Sequence, residues 1–460
     1  MDYEETFSSV VKSMAYKMMF NRAAVLDLEI EQVDVDVAFL NSTIDYEVYV
    51  EQPEGLEDGT RRVCKLNRTL YGFRQSPRAW YLTLKDFFHS YGLFTAAADN
   101  SVFFYEDIQV AVYVDDLLIF GADKAKVQHL KNALNGRFSM KDLGPVKWYL
   151  GIAIERNLSE RTIKLSQKAY LEKVLSRFGM LHCNADEVPM AVGQKLQRAS
   201  SDYEAEREFT RTYQEAIGSL MYLMLCTRPD IAYAISNLSK FSANPTGEHW
   251  KAVKKVLRYL KGTSDAKLVF RGNATHIQGY GQDPLGGYTD AAFADCPDTR
   301  RSTSGYVFSV GSGAISWSSK RQSTVSTSTT ESEYKGQFNA ALEAMYLRNL
   351  AKDLWPEIIQ GAIPIVVQAD NNGAIGLAKN NMGHSRTKHF DTKPKLCQEV
   401  EETGIVTYQR VDTEDNVADV LTKPLARDRH RKLVKEFGLE VSWPGNKLKD
   451  TRKSATEAKA

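Results

Sequence analysis

The chain has 460 residues, of which 43% are hydrophobic and 25% charged, and its five cysteines are widely spaced with no C-x-x-C pair. This composition excludes a wholly disordered, collagen-like or disulfide-stapled chain, and the length predicts about two to four domains. The cysteine pattern favours a reducing compartment. The sequence shows neither a signal peptide nor an apolar run of membrane-spanning length, so we expect an intracellular protein without a membrane partner.

The charge is unevenly distributed although the totals nearly cancel, with 59 Lys and Arg against 58 Asp and Glu. Residues 1–60 contain fourteen acidic and three basic residues, so the rest of the chain carries a net positive charge. That charge is compatible with a polyanionic partner, but an ordinary solvated surface explains it equally well.

Residues 30–155 alternate short apolar runs with turn signals, which is typical of strands joined by hairpins. Strands are predicted at QVDVDVAFL (32–40) and EVYVEQP (47–53), and VAVYVDDLLIFG (110–121) predicts a hairpin with Asp-Asp at its tip. The apolar spacing of PRAWYLTLKDFFHSYG (77–92) predicts a helix.

The remaining chain changes character twice. Residues 156–275 are predicted to be mostly helical, whereas the order of strands, long helix, strand and helix from 276 onward indicates an α/β module. We therefore predict divisions at residues 1–155, 156–275 and 276–440, followed by a basic and disordered tail at 441–460.

The first candidate site combines Asp115 and Asp116 of the hairpin with Asp34 of the first predicted strand. Taken alone, Asp-Asp is more typical of a plain turn. Alternation along the strand, however, places Asp34 and Asp36 on one face and the neighbouring valines on the other. A strand carboxylate facing a hairpin-borne pair is the arrangement with which a palm-type polymerase holds two Mg²⁺ ions.

The second candidate site has one carboxylate at the end of each element of the C-terminal module: Asp290, Glu333, Asp370 and Asp419. Each acid alone is explained by the position it has at a strand or helix end. Four acids at one sheet edge, however, would repel one another unless cations lay between them. The set therefore predicts a two-metal phosphodiester hydrolase.

Ordered motifs along nearly the whole chain resemble the reverse transcriptase–ribonuclease H part of copia-type (Ty/copia) LTR retrotransposon Pol polyproteins. The motifs are DYEETFSSVVK, QVDVDVAFLNSTIDYEVYVEQPEG, VCKLNRTLYGFRQSPRAWY, YVDDLLIFG, FSMKDLGPVKWYLGI, AIGSLMYLMLCTRPDIAYA, RRSTSGYVFSVGSGAISWSSKRQSTVSTSTTESEY, RTKHFD and ADVLTKPL. The resemblance implies an α+β palm and fingers polymerase domain over 1–155, a helical thumb or connection over 156–275, and an α/β ribonuclease H-like domain over 276–440.

The resemblance also implies residue roles. It makes Asp34, Asp115 and Asp116 the catalytic and metal-binding polymerase carboxylates, and Asp290, Glu333, Asp370 and Asp419 those of the ribonuclease, each set with two Mg²⁺ ions or, alternatively, Mn²⁺. Glu331 competes with Glu333, which we prefer because it directly precedes an aromatic residue. Phe39 is the expected aromatic gate beneath the incoming sugar, with a core phenylalanine as an equal alternative. The further expected contacts are Tyr71, Gly72, Gln75, Ser76 and Pro77 for nucleotide and template, Leu150 and Gly151 for primer, and His389 as an auxiliary.

The predicted function is RNA-directed DNA synthesis with ribonuclease H cleavage of the hybrid, upstream of DNA integration. The implied partners are an RNA template, a DNA primer, the RNA/DNA hybrid, dNTPs and other parts of the polyprotein. We expect a cytoplasmic location in virus-like particles, with a nuclear stage left open. Compared with the family, upstream basic fingers sequence is missing and Asp36 stands where Lys is usual. The alternative is therefore a truncated relic or domesticated nucleic-acid-binding protein that retains at most ribonuclease H activity.

Overall fold

The computed structural model describes residues 6–44, 47–272, 285–379 and 392–443. The chain divides into two compact units, Met1–Val146 and Lys147–Ala460. Of the predicted tail at 441–460, only residues 441–443 lie within the described ranges.

The first unit consists of helices packed on one large antiparallel sheet. Its elements are α1 (Ser13–Leu26), β1 (Glu29–Val35), β2 (Tyr49–Val50), β3 (Cys64–Lys65), α2 (Ser76–Tyr91), β4 (Phe94–Thr95), β5 (Val102–Tyr105), β6 (Ile108–Tyr113), β7 (Asp116–Gly121), α3 (Lys124–Arg137) and β8 (Met140–Pro145). The six strands of the sheet have the order β4-β5-β6-β7-β1-β8, and β2 and β3 form a separate pair.

The spacing of apolar residues explains how α2 packs on this sheet. Trp80, Leu84 and Phe88 recur every fourth residue and form the buried stripe of α2, as an amphipathic helix requires. They share one core with Val33 and Val35 of β1 and with residues of β6, β7 and α3. The predicted helix at 77–92 is confirmed, and the alternation of β1 leaves its other face to Asp34 and its neighbours.

The predicted strand at 32–40 is wrong in its second half. β1 ends at Val35, Val37 adopts a left-handed backbone with φ of 47°, and Ala38–Asn41 form a short 3-10 helix. The chain leaves the sheet here because Ala38 is buried in the core and the short helix packs against α2. The strand predicted at 47–53 is likewise reduced to Tyr49–Val50.

The predicted hairpin forms, but its turn is shifted by one residue. Tyr113 pairs with Asp116 as the last partners of β6 and β7, so the two-residue turn is Val114-Asp115 rather than Asp115-Asp116. Asp116 is therefore a strand residue, and its Cα partner on the other side is Asp34 of β1. This cross-strand pairing explains the shift.

The second unit contains two five-stranded sheets with helices. Its elements are β9 (Trp148–Tyr149), β10 (Ile152–Asn157), β11 (Thr162–Ser166), α4 (Lys168–Arg177), α5 (Arg207–Cys226), α6 (Ala232–Leu238), α7 (Gly247–Gly262), β12 (Lys267–Arg271), β13 (Leu285–Ala292), β14 (Thr303–Val310), β15 (Gly313–Arg321), α8 (Thr329–Leu354), β16 (Ile365–Ala369), α9 (Asn372–Lys379), α10 (Thr392–Glu402), β17 (Val406–Arg410), α11 (Arg427–Glu436) and β18 (Leu439–Glu440). The sheet orders are β18-β12-β11-β10-β9 and β15-β14-β13-β16-β17.

Two strands of the first of these sheets, β11 and β12, lie within residues 156–275, which the sequence predicted to be mostly helical. Four of its strands precede residue 272, and the fifth, β18, pairs with β12 so that Leu439 lies opposite Leu268. The predicted division after residue 155 falls inside β10, and the one at 275 separates β12 from β18. The indole of Trp317 on β15 also donates to the Met224 carbonyl of α5 at 2.9 Å. Both sides of residue 275 thus belong to one compact unit.

The second sheet brings the carboxyl ends of two parallel strands to one edge. β13, β14 and β15 form an antiparallel meander, while β13 and β16 run parallel, as do β16 and β17. The long helix α8 packs on β13 and β14. Asp290 lies near the end of β13 and Asp370 directly follows β16, which is the edge where open α/β sheets bind ligands. The predicted α/β class of this region is confirmed.

Among the described residues, the structure contains no helix with the length and apolarity needed to cross a bilayer.

Candidate functional site

Three predicted carboxylates of the second unit converge at the edge of its second sheet. Asp290, Glu333 and Asp370 each offer an oxygen, and these oxygens lie within 4.8 Å of one another. Asp290 and Glu333 are buried, at 2% and 8% exposure. Such a distance is short enough for one cation to contact all three side chains.

Close packing of α8 on β13 explains how Glu333 reaches this group. A Cβ atom at Gly336 would lie 3.3 Å from both the Asp290 carbonyl oxygen and the Thr289 hydroxyl. Glycine at this position therefore lets the helix approach the strand closely. Glu333 lies three residues earlier, on the same side of the helix as Gly336, and thus beside Asp290.

The two glutamates that compete in the sequence have different surroundings. The Glu331 carboxylate accepts hydrogen bonds from the Thr327 backbone N–H (2.7 Å) and hydroxyl (2.8 Å), and it pairs with Lys335 at 2.7 Å. It thereby fastens the start of α8 to the preceding loop. Glu333, not Glu331, lies among the converging carboxylates.

The surroundings of Glu333 strongly disfavour its ionised form. Burial raises the pKa of its carboxyl group to about 10, and the charges of Asp290 and Asp370 contribute in the same direction. Its buried Oε2 atom has no hydrogen-bond partner. A buried, unpaired carboxylate oxygen among other acids fits a divalent cation, which would neutralise all three groups.

Asp419 is near this group but is neutralised by the protein itself. Lys423 lies 2.7 Å from its Oδ1 atom, and Arg429 lies 2.5 Å from its Oδ2 atom. Burial and the charge of Asp290 raise the pKa of Asp419, against the opposing effect of Lys423. Burial alone would lower the pKa of Lys423, but the charges of Asp290 and Asp419 outweigh it and raise that pKa. The neighbouring Thr422 hydroxyl donates to Asp290 Oδ2.

The three aspartates of the first unit are electrostatically coupled. Burial raises the pKa of Asp116 to about 6, against a hydrogen bond from Gln32 (2.9 Å), and the charges of Asp34 and Asp115 raise it further. Burial and the charge of Asp115 likewise raise the pKa of Asp34. Among the described residues, these three do not form a group with all ligand oxygens within 4.8 Å. Asp36 is engaged separately, by Lys141 at 3.2 Å.

The turn that carries Asp115 is held from the core. Val114 has φ of 58°, which is uncommon for a β-branched residue. The Trp80 indole of α2 donates to the Val114 carbonyl oxygen at 2.7 Å. A core tryptophan thus fixes the hairpin tip from below.

Tyr71 lies near the aspartates and packs against Phe39. Their ring centroids are 4.5 Å apart, and Phe39 is partly buried against the core while Tyr71 is 53% exposed. Burial raises the pKa of Tyr71, and the charges of Asp115 and Asp34 raise it further. The tyrosine hydroxyl is therefore close enough to both carboxylates to feel their charge.

The other predicted nucleotide contacts form the entry to α2. Gly72 has φ of 96° and is exposed. Gln75 precedes the helix, Ser76 begins it, and Pro77 occupies its first turn, where proline is favoured. Ser76 is fully buried, and its hydroxyl donates to the Leu70 carbonyl at 2.6 Å. Ser76 thus supports this loop from inside.

The predicted primer-contacting residues belong to the second unit. Leu150 and Gly151 are the two-residue turn between β9 and β10, with φ of 48° and 74°, as hairpin turns of this length require. The Tyr222 hydroxyl donates to the Leu150 carbonyl. His389 lies outside the described residues.

Sequence reasoning missed the polar side chains that surround the carboxylates. Lys423 follows Asp419 by four residues, a spacing that favours an ion pair on a helix, so the sequence pattern could have predicted this contact. Gln32 lies two residues before Asp34 and so shares its strand face. Arg429 and Trp80 reach their partners through tertiary packing, which the sequence pattern does not reveal.

Residues 1–192 match the family described as Reverse transcriptase (RNA-dependent DNA polymerase). The chain is 40% identical to the retrovirus-related Pol polyprotein from transposon TNT 1-94 of Nicotiana tabacum, covering 95% of this chain and 33% of that polyprotein. It is 36% identical to the Pol polyprotein from transposon RE2 of Arabidopsis thaliana, with 95% and 30% covered. It is 32% identical to the putative transposon Ty5-1 protein of Saccharomyces cerevisiae, with 66% of this chain and 97% of that protein covered.

Solved ribonuclease H structures also resemble part of the chain. Ribonuclease H1 from Halobacterium salinarum is 16% identical with a TM-score of 0.23, covering 30% of this chain and 93% of its own. The N-terminal ribonuclease H domain of a Mycobacterium tuberculosis protein is 15% identical with a TM-score of 0.22, covering 33% and 96%.

The first part of the chain is thus defined as a reverse transcriptase domain. The whole chain belongs to the copia-type (Ty/copia) LTR retrotransposon Pol polyproteins, over their reverse transcriptase–ribonuclease H part. It spans about a third of the length of the plant polyproteins that it matches.

Proposed function

We propose that the chain copies RNA into DNA with the aspartates of the first unit and cleaves the RNA strand of the resulting hybrid with the carboxylates of the second unit. One observation carries the nuclease proposal: the Asp290, Glu333 and Asp370 carboxylates converge within 4.8 Å, with a buried Glu333 oxygen left without a hydrogen-bond partner. The family match and the coupled charges of Asp34, Asp115 and Asp116 support the polymerase proposal. The proposed partners are template RNA, primer, dNTPs, the hybrid and other parts of a Pol polyprotein.

In the proposed nuclease reaction, the protein supplies a rigid set of oxygen ligands. Packing of α8 on β13 fixes Glu333, and the Thr422 hydroxyl holds one oxygen of Asp290. Two Mg²⁺ ions bound to such carboxylates would activate a water molecule and stabilise the departing 3′-oxygen. Lys423, which is 36% exposed, adds a positive charge that can attract the phosphate backbone.

In the proposed polymerase reaction, the strand pairing of β1 and β7 places Asp34 opposite Asp116, and Trp80 fixes the turn that carries Asp115. These aspartates are the residues that would hold Mg²⁺ for phosphoryl transfer. The Phe39 ring, which packs against Tyr71, would lie beneath the incoming sugar. A ring in this position would collide with a 2′-hydroxyl, so dNTPs would be favoured.

Hybrid cleavage by the full chain tests the nuclease proposal. With Mg²⁺, the protein should cut labelled RNA in an RNA/DNA hybrid but not in an RNA duplex, because only the hybrid pairs a strand that carries 2′-hydroxyls with a strand that lacks them. Asp290→Asn should abolish cleavage, whereas Asp428→Asn, at a side chain that is 84% exposed, should not. Thermal unfolding of both variants shows whether they fold.

Two outcomes would contradict this assignment: undiminished cleavage by Asp290→Asn, or equal cleavage of the RNA duplex. Hybrid binding without any cleavage would support a nucleic-acid-binding protein instead. Primer extension on an RNA template is the parallel test of the first unit. Asp115→Asn should stop extension while leaving hybrid cleavage intact, since Asp115 and Asp290 belong to separate units.

A further inference from the structure

A lysine side chain lies between two of the four predicted nuclease carboxylates. The Lys423 ammonium is 2.7 Å from Asp419 Oδ1 and 3.6 Å from Asp290 Oδ2. Both aspartates are buried, with side-chain exposures of 0% and 3%, while Lys423 remains 36% exposed. The ammonium therefore bridges buried carboxylates from a position that is still accessible to solvent.

The second oxygen of Asp419 is occupied as well. Arg429 Nη2 lies 2.5 Å from Asp419 Oδ2 and also donates to the Thr413 carbonyl oxygen. Arg429 is thus tied to the backbone as well as to the carboxylate. Its planar guanidinium is therefore a less mobile partner than the Lys423 ammonium, which is carried on a flexible four-carbon stem.

The four carboxylates therefore fall into two different states. Asp290, Glu333 and Asp370 have oxygens within 4.8 Å of one another, and Glu333 Oε2 has no hydrogen-bond partner. Asp419, in contrast, has ion pairs on both oxygens. One divalent ion fits the first three side chains as they stand, whereas an ion between Asp290 and Asp419 meets the Lys423 ammonium.

We propose that Lys423 is a built-in counter-ion that occupies the place of a second divalent ion between Asp290 and Asp419. The second ion then binds only after the ammonium has moved away. The two cations exclude each other because they use the same carboxylate oxygens and repel at such short range. This inference rests on the proposed nuclease function and makes metal occupancy of that site sequential.

The scissile phosphate gives Lys423 an alternative partner. A phosphodiester carries negative charge, and a lysine ammonium is a mobile point charge that binds such groups well. Arrival of the hybrid would thus draw Lys423 from Asp419 and open the second position.

Counting bound Mn²⁺ by the EPR signal of the free ion tests the proposal on the full chain. All proteins carry Asp115→Asn and Asp116→Asn, so that the first unit contributes little binding. In this background, the protein with Lys423 should bind one ion readily and a second only weakly. Lys423→Met should bind the second ion about tenfold more tightly or better, and Lys423→Gln should behave in the same way. Lys423→Arg, which keeps the charge, should resemble the protein with Lys423.

A matched control removes a lysine from the neighbouring helix. Lys432 of α11 pairs with Asp415 at 2.5 Å rather than with the carboxylate group. Lys432→Met therefore removes one positive charge from the same region and should leave both ion affinities unchanged. If Lys432→Met raises the affinity for the second ion as much as Lys423→Met does, the effect is one of general charge and the proposal is wrong.

The outcomes separate this inference from the function on which it rests. One tight ion and an unchanged second affinity in both neutral Lys423 variants would overturn the counter-ion role but leave the three-carboxylate site intact. No bound Mn²⁺ in any protein would overturn both the inference and the proposed function. Urea unfolding of each variant establishes that it is folded. If Lys423→Met does not fold, Lys423→Gln provides the same test.

Discussion

The replacement Glu333→Gln should stabilise the metal-free protein while removing a proposed metal ligand. Burial raises the pKa of Glu333 to about 10 in the folded state, against an ordinary value of 4.5 for a glutamate carboxyl group. Between these values the folded state binds more protons than the unfolded state, so stability falls as the pH rises. At pH 7 the loss is about 3 kcal/mol relative to acidic solution, since each pH unit above 4.5 costs about 1.4 kcal/mol. Glutamine cannot ionise and avoids this loss.

Urea unfolding of the full chain in EDTA, followed by tryptophan fluorescence, measures the effect. Glu333→Gln should exceed the wild type by about 3 kcal/mol near neutral pH, and the difference should shrink toward zero near pH 4.5. Added Mg²⁺ should stabilise the wild type more than the variant, because the ion would neutralise the Glu333 carboxylate that a proton otherwise neutralises. A variant that is no more stable at neutral pH, or a difference that does not change with pH, would refute this reasoning.

Glu331→Gln is the matched control two residues away on the same helix. Burial alone would raise the pKa of Glu331, but the hydrogen bonds from Lys335 and Thr327 outweigh it and lower that pKa. Its ionised form therefore stabilises the folded state above the unfolded pKa, and that contribution is lost as the pH falls. Glu331→Gln should destabilise the protein by about 3 kcal/mol at neutral pH, because it leaves a buried lysine without its charge partner.

Three further predictions concern the second unit. Asp230→Asn should lower the unfolding free energy by about 3–5 kcal/mol in urea, because Asp230 is fully buried in a pair with Arg228 at 2.7 Å. Gly151→Ala should cost about 1–2 kcal/mol in the same assay, since Gly151 has φ of 74° and a Cβ there would lie 2.9 Å from the Tyr222 hydroxyl. Burial lowers the pKa of His430 to about 4. The wild type should therefore lose about 3 kcal/mol as the pH falls from about 6.5 to 4, and His430→Phe should remove that pH dependence.

Local patterns predicted the elements that carry the carboxylates but not their exact ends. The alternation of β1 correctly placed Asp34 on the face opposite the valines, and the apolar runs around Asp115 correctly predicted a hairpin. The turn shifted because Asp116 pairs with Asp34 across the sheet and Trp80 holds the Val114 carbonyl. Both contacts join residues that are distant in sequence, so no local pattern contains them.

The first sheet of the second unit was missed for a related reason. β9 and β18 have two residues each, too few for an alternating pattern to show. β18 pairs with β12 across more than 160 residues of chain, and only tertiary structure reveals such a partner. In the second unit, the sequence predicted that Asp290, Glu333 and Asp370 would meet. It did not predict that Lys423 and Arg429 pair with Asp419. That the assembled carboxylates catalyse cleavage stays a prediction.

The pairing of β12 with β18 determines how the second unit can be divided. An expression fragment that starts at residue 276 would lack β12, to which β18 is hydrogen-bonded. Gly313 of β15 also packs closely against β12, since a Cβ at Gly313 would lie 2.7 Å from the Val269 carbonyl oxygen. Such a fragment would expose an unpaired strand edge, which favours aggregation. Residues 147–275 and 276–460 produced as two separate chains in one cell would instead retain all of these contacts. They should assemble without a covalent link, as the halves of a split reporter protein do.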